Sequence, residues 1–133
     1  MEERRYTFNK NERLCSKKLI DRLFAGGNKS FPMFPLRVVY MPLAPEENTA
    51  DVSILISVPK KRFKHAVKRN LVKRQVREAY RQNKYILLDV LKAKESNFKM
   101  ILAFIWLDNK IYPAKLVEQK VKKLLTHIAE NIQ

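Results

Sequence analysis

The chain has 133 residues, 46% of them hydrophobic and 31% charged, and its 28 Lys and Arg against 13 Asp and Glu leave a net charge of +15 at pH 7. That length suits one domain over residues 1–133, and the apolar content excludes an intrinsically disordered chain. A surplus this large opposes compaction unless a polyanion neutralises it, which puts nucleic acid first among partners; the single cysteine, Cys15, excludes an internal disulfide, and two histidines, His65 and His127, exclude a zinc cluster.

The first residues carry no apolar signal core, and the longest apolar run, 100–107, falls far short of the roughly 20 residues that span a bilayer. A soluble, cytoplasmic protein with no membrane partner is expected. Ser16 suits a helix N-cap, Leu19, Ile20, Leu23 and Phe24 recur at helical spacing, and Gly26 and Gly27 suit a helix end, so 16–25 reads as a short amphipathic helix. Residues 28–35, with Pro32 and Pro35, read as turn. Two strands follow at 36–41 and 52–58, joined by a loop with Pro42, Pro45 and Asn48, and their closeness predicts an antiparallel hairpin.

A helix is predicted over 65–83, with an apolar helical extension over 85–91. Residues 100–107 are apolar throughout, as a central strand buried on both faces requires, and Trp106 belongs to that core. Beyond Pro113, Val117, Val121, Leu124, Leu125 and Ile128 mark one face of a closing helix. Strand, helix, strand in the second half predicts parallel pairing of 52–58 with 100–107, in a two-layer sandwich of the α+β or α/β kind with a small mixed sheet.

Charge is concentrated in one place. Residues 60–81 hold ten of the 28 basic residues and one acid, Glu78, so +9 of the +15 sits in about a sixth of the chain. On a helix, Val72, Val76, Ala79 and Tyr80 share one stripe, and Asn70, Lys73, Arg74, Arg77 and Arg81 share the next. Lys73/Arg77 and Arg77/Arg81 are like-charge pairs at i,i+4, each costing roughly 0.2–0.5 kcal/mol in an isolated helix. A merely solvated face needs no single sign, so the stripe reads as a phosphate-binding ridge, with Lys60, Lys61 and Lys64 as point charges before it.

This segment resembles the signature of the bacterial ribonuclease P protein subunit, K-K-x-G-x-A-V-x-R-N-R-x-K-R-x-x-R-E. Ala66-Val67, Arg69-Asn70, Lys73-Arg74 and Arg77-Glu78 match in register over 61–78. Two departures from it matter: Leu71 stands where the pattern has a second arginine after Arg69-Asn70, and Lys64 where it has glycine. The order of elements also resembles that family from about Phe8 to Ile128.

The resemblance implies a left-handed crossover around the 65–83 helix, in a sandwich like the second domain of a small-subunit ribosomal protein. It implies a subunit that binds the catalytic RNA of ribonuclease P and the 5′ leader of precursor tRNA, and assists endonucleolytic removal of that leader. The residues expected to hold RNA are Lys60, Lys61, Arg62, Lys64, Lys68, Arg69, Asn70, Lys73, Arg74, Arg77 and Arg81. For the leader cleft the family position carries over to Ile20, Phe24 and Tyr40, of which Phe24 and Tyr40 have rings that suit base stacking; Phe8, Phe31 and Phe34 are further, weaker aromatic candidates.

The acids form no metal-spaced motif and Cys15 has no evident base beside it, so no catalytic or metal-binding residue is expected in the chain itself. The resemblance implies an endoribonuclease subunit whose chemistry belongs to the RNA, with Mg²⁺ bound mainly by RNA and substrate phosphates and no obligate protein partner. A structural RNA-binding protein of ribosomal or chaperone type, and a DNA-binding protein placing 65–83 in a major groove, are the rival readings.

Overall fold

A strand with side chains to hide on both faces must lie inside a sheet that is covered on both sides. In the computed structural model, which describes residues 5–94 and 98–132, the apolar run forms most of β4 (Lys99–Trp106), and Met100 through Phe104 are at most 1% exposed. β4 lies between β2 (Leu36–Leu43), which it meets antiparallel, and β3 (Val52–Ser57), which it meets parallel. β1 (Lys29–Met33) pairs antiparallel with β2, giving the order β1-β2-β4-β3.

Two expectations are corrected by this sheet. The segments 36–41 and 52–58 are not hairpin partners, because β4 takes the place between them and satisfies both of its edges there. Residues 28–35 are more than a turn: β1 forms a hairpin with β2, pairing Phe31 with Val38 and Pro32 with Arg37. Pro32 is admissible because β1 is an edge strand, where a missing N–H need not break a central ladder.

Helices cover the two faces unequally. α2 (Ala66–Asn83), α3 (Tyr85–Ala93) and α4 (Ala114–Asn131) lie on one face, where Leu36, Val38, Tyr40, Val52, Ile54, Met100, Leu102, Phe104 and Trp106 meet Val72, Val76, Tyr80, Leu87, Val121 and Leu125. Each fully buried Val or Leu there contributes roughly 1.5–3 kcal/mol. The crossover from β3 through α2 and α3 to β4 joins parallel neighbours, as expected.

On the other face, among the described residues, the one α-helix is α1 (Lys17–Phe24), whose Leu19 and Leu23 pack with Leu14, Leu43, Ile101 and Ala103. Ser16 caps it, its hydroxyl accepting from the Leu19 N–H at 3.3 Å. Gly26 and Gly27 end it at φ 101° and 79°, values that favour glycine. Ahead of α1, Arg13 bridges to Ile54 in parallel register and the Leu14 N–H donates to the Ile54 carbonyl at 2.8 Å, so this segment runs along β3.

At the α2–α3 junction the chain buries a charge. Lys84 is 4% exposed; its Nζ donates to Glu12 Oε1 at 2.8 Å and to the Thr7 carbonyl at 2.6 Å. Beside it, Tyr80 packs between Phe8 and Phe104 with its hydroxyl buried, and burial, reinforced by the Glu12 charge, pushes that hydroxyl far above its ordinary titration range.

Candidate nucleic-acid interface

α2 separates its residue types by face, as the 3.6-residue period requires. Val72, Val76, Ala79 and Tyr80 are buried, while Lys68, Asn70 and Arg74 are exposed and Lys73 and Arg77 half-buried along its outer side. Among the described residues, Lys60, Lys61, Lys64, Lys68, Lys73, Arg74 and Arg77 have no ion-pair or hydrogen-bond partner for their side chains. Seven cations on and before one helix therefore remain uncompensated.

Two other expected RNA contacts, Arg69 and Arg81, are engaged within the fold. Arg69 Nη1 donates to the Phe63 and Lys64 carbonyls at 2.8 and 3.0 Å, folding back over the start of α2 and tying down the 59–65 loop. Arg81 is held by Glu78 through Nε and Nη2 at 3.0 and 2.8 Å, and its Nη1 reaches the Tyr6 carbonyl at 2.5 Å. Arg62 is half-buried with its Nε enclosed and unpartnered. Its charge helps to lower the Asp108 carboxyl, which is held down chiefly by the Tyr112 hydroxyl that donates to it. His65, at the N-cap of α2, makes no side-chain capping bond and is exposed.

Two of the concavities beside the ridge are lined by both Lys73 and Arg77. The outer one, about 550 Å³, is lined by Val67, Asn70, Leu71, Lys73, Arg74 and Arg77. The inner one, about 200 Å³, lies between α2 and the β3 edge, lined by Phe8, Arg13, Ile54, Leu55, Ile56, Lys73 and Arg77. Lys73 and Arg77 border both. Arg13 is a cation the sequence reading passed over, since it lies far from the basic run and only its pairing with β3 brings it opposite α2.

The three carried-over cleft residues are not brought together. Ile20 is half-buried and Phe24 is 46% exposed on α1, with Ile20 packed at the edge of the α1 cluster beside Val39, Met41 and Leu55. Tyr40 is on the opposite face of the sheet, 4% exposed within the α2–α4 core, where burial raises its hydroxyl's pKa. It lines a separate cavity of about 470 Å³ with Gly27, Asn28, Lys29, Pro42, Phe98, Met100, Asn131 and Ile132. The expectation that Phe24 and Tyr40 line one groove is therefore corrected: strand alternation sends Leu36, Val38 and Tyr40 one way and Val39, Met41 and Leu43 the other.

Among the described residues no three of His, Cys, Asp and Glu converge to hold a metal ion, and no helix is long and apolar enough to cross a membrane.

The family model described as Ribonuclease P matches residues 8–129 of the chain. The chain belongs to the ribonuclease P protein family. It is 44% identical over 127 residues to the ribonuclease P protein component of Porphyromonas gingivalis, covering 96% of this chain and 90% of that one. With the Chlorobium phaeobacteroides ribonuclease P protein component it shares 31% over 129 residues, covering 92% and 88%. Its fold is similar to the ribonuclease P protein of Thermotoga maritima, with a TM-score of 0.66 at 22% identity over 86% of this chain and 96% of that one. The Staphylococcus aureus ribonuclease P protein gives a TM-score of 0.58 at 18% identity, over 93% and 97%. Membership makes the chain a subunit of the tRNA 5′-processing ribonucleoprotein, an endoribonuclease, with RNA as its partner; a free-standing structural RNA-binding role is not favoured.

Proposed function

We propose that the outer ridge of α2 holds the catalytic RNA of ribonuclease P while the inner groove, between α2 and β3, takes the single-stranded 5′ leader of precursor tRNA. The observation that carries this reading is the set of seven uncompensated cations, two of which, Lys73 and Arg77, border both concavities. A strand of phosphates in the inner groove meets Arg13, Lys73 and Arg77, and unpaired bases meet Phe8 and the apolar edge made by Leu55 and Ile56. Ile20, which packs against the same α1 cluster as Leu55, extends that apolar surface on the α1 side, where the sheet is covered only in part.

In this reading the protein supplies charge and position, and catalysis belongs to the RNA. Mg²⁺ is then held chiefly by RNA and substrate phosphates, because a hard cation is best served by clustered oxygen anions, which the cationic ridge does not offer. The site of action is the cytoplasm, where precursor tRNA is processed.

The test is reconstitution with a transcript of the P. gingivalis ribonuclease P RNA and a precursor tRNA. Leader removal at low Mg²⁺ and moderate salt should rise on adding the protein. Binding to the RNA should fall with salt along a log-log slope of about −4 to −5, as expected if about six phosphates are neutralised. A slope near zero, or cleavage unaffected by the protein, would overturn the reading.

A further inference from the structure

Val67 is 80% and Leu71 41% exposed, and they stand one turn apart on α2, so their side chains adjoin. A single exposed leucine is ordinary on a protein surface. This pair is different in its position, because it lies within the outer concavity, whose remaining lining is Asn70, Lys73, Arg74 and Arg77. The lining divides along the helix axis: towards the N-terminus it offers apolar carbon and one amide, and towards the C-terminus it offers one ammonium and two guanidinium groups. The Asn70 amide has no hydrogen-bond partner among the described residues.

A phosphate gains from Arg74 and Arg77 but nothing from Val67 and Leu71, which present neither charge nor a donor. A nucleobase gains from both kinds of surface, since it has an apolar face and a hydrogen-bonding edge that a carboxamide can match as donor and acceptor. Building on the RNA reading above, we propose that Val67 and Leu71 receive the face of an unstacked base of the ribonuclease P RNA, with Asn70 on the base edge and Arg74 and Arg77 on the flanking phosphates. Charge selects this occupant over a second copy of the chain, because two such ridges brought together repel each other. At the Leu71 position, where the family pattern carries arginine, one ionic contact is thus exchanged for an apolar one.

The exchange has a signature in salt dependence: a phosphate contact releases counterions and weakens as salt rises, whereas an apolar contact does not. Affinity for the P. gingivalis ribonuclease P RNA transcript is measured from low to high salt for the wild type, Leu71→Gln, Leu71→Arg and Arg77→Ala, with circular dichroism melts confirming that each is folded. Leu71→Gln is expected to bind about threefold to tenfold more weakly at every salt concentration with an unchanged slope, the loss of a partly buried apolar contact. Leu71→Arg is expected to steepen the slope by about 0.7–0.9, and Arg77→Ala to flatten it by the same amount. Wild-type affinity for Leu71→Gln, beside a normal response of Arg77→Ala, overturns this inference and leaves the RNA reading standing. A wild-type chain that does not bind the transcript overturns both. Sedimentation showing a wild-type dimer that Leu71→Gln dissociates would assign the pair to a second copy instead, and overturns the inference as well.

Discussion

The two ends of α2 carry the same kind of residue and use it in opposite ways. Lys68, Lys73, Arg74 and Arg77 carry their charges along the outer side without partners, whereas at the C-terminal end Arg81 is held by Glu78 and the Tyr6 carbonyl and Lys84 is enclosed with Glu12 and Thr7. The first group leaves its Coulomb energy available to a ligand; the second has already given it to the fold. Counting basic residues along a helix therefore overstates the binding surface wherever a neighbouring segment supplies carbonyls or a carboxylate.

The sharpest way to break this comparison is at Lys84. Lys84→Ala leaves Glu12 buried and unpaired, and is expected to cost about 3–5 kcal/mol in urea unfolding. The double variant Lys84→Met with Glu12→Gln should recover much of that loss, since no uncompensated charge then remains. If Lys84→Ala instead lowers RNA affinity with stability intact, the pair belongs with the binding cations.

Next in size is Tyr40. Truncating a ring that is 4% exposed should cost roughly 3 kcal/mol, as for other large-to-small core changes, and should impair binding of leader-bearing and mature tRNA alike. Phe24→Ala, at an exposed position, should spare stability and weaken only leader-bearing precursor, by up to about 1–3 kcal/mol. Equilibrium binding with leaders of increasing length separates the two; a leader-specific loss for Tyr40→Ala would show that the sheet face assigned to it is wrong.

Within α2 itself, Arg74→Ala should leave the melting temperature unchanged and flatten the salt slope by about 0.7–0.9. Arg69→Ala should cost about 1 kcal/mol of stability through its two lost carbonyl contacts, together with a smaller change in slope. The smallest effect is expected for Arg81→Ala, whose exposed pair with Glu78 is worth about 0–1 kcal/mol and whose removal should leave the slope unaltered. Equal slope changes for Arg74 and Arg81 would dissolve the distinction between the two ends.

Much of this architecture was legible beforehand because it rests on period. The buried stripe Val72, Val76, Ala79 and Tyr80, the doubly buried β4 and its parallel pairing with β3 all follow from where apolar residues recur. Pairing order did not follow, since nothing local to 36–41 and 52–58 announces that a strand fifty residues later will come between them. β1 was hidden by its prolines, which signal turn more strongly than edge strand. The engagement of Arg69 and the reach of Arg81 to Tyr6 depend on carbonyls, which have no signature in side-chain sequence. The facing of Tyr40 was readable in principle: it is in phase with Leu36 and Val38, and two residues of that phase on the core side place the third there too.

The segment lying along β3 carries a consequence for how the protein keeps apart from its own copies. β1 ends one side of the sheet with Pro32, and on the other side residues 13 and 14 occupy backbone groups of Ile54. Both margins are therefore poor templates for a further strand, and the chain can accumulate at high local concentration on RNA without polymerising edge to edge. A variant trimmed to begin at Cys15 would bare the Val52–Ser57 margin, with its apolar run Ile54-Leu55-Ile56 between two serines, to any extended chain that met it.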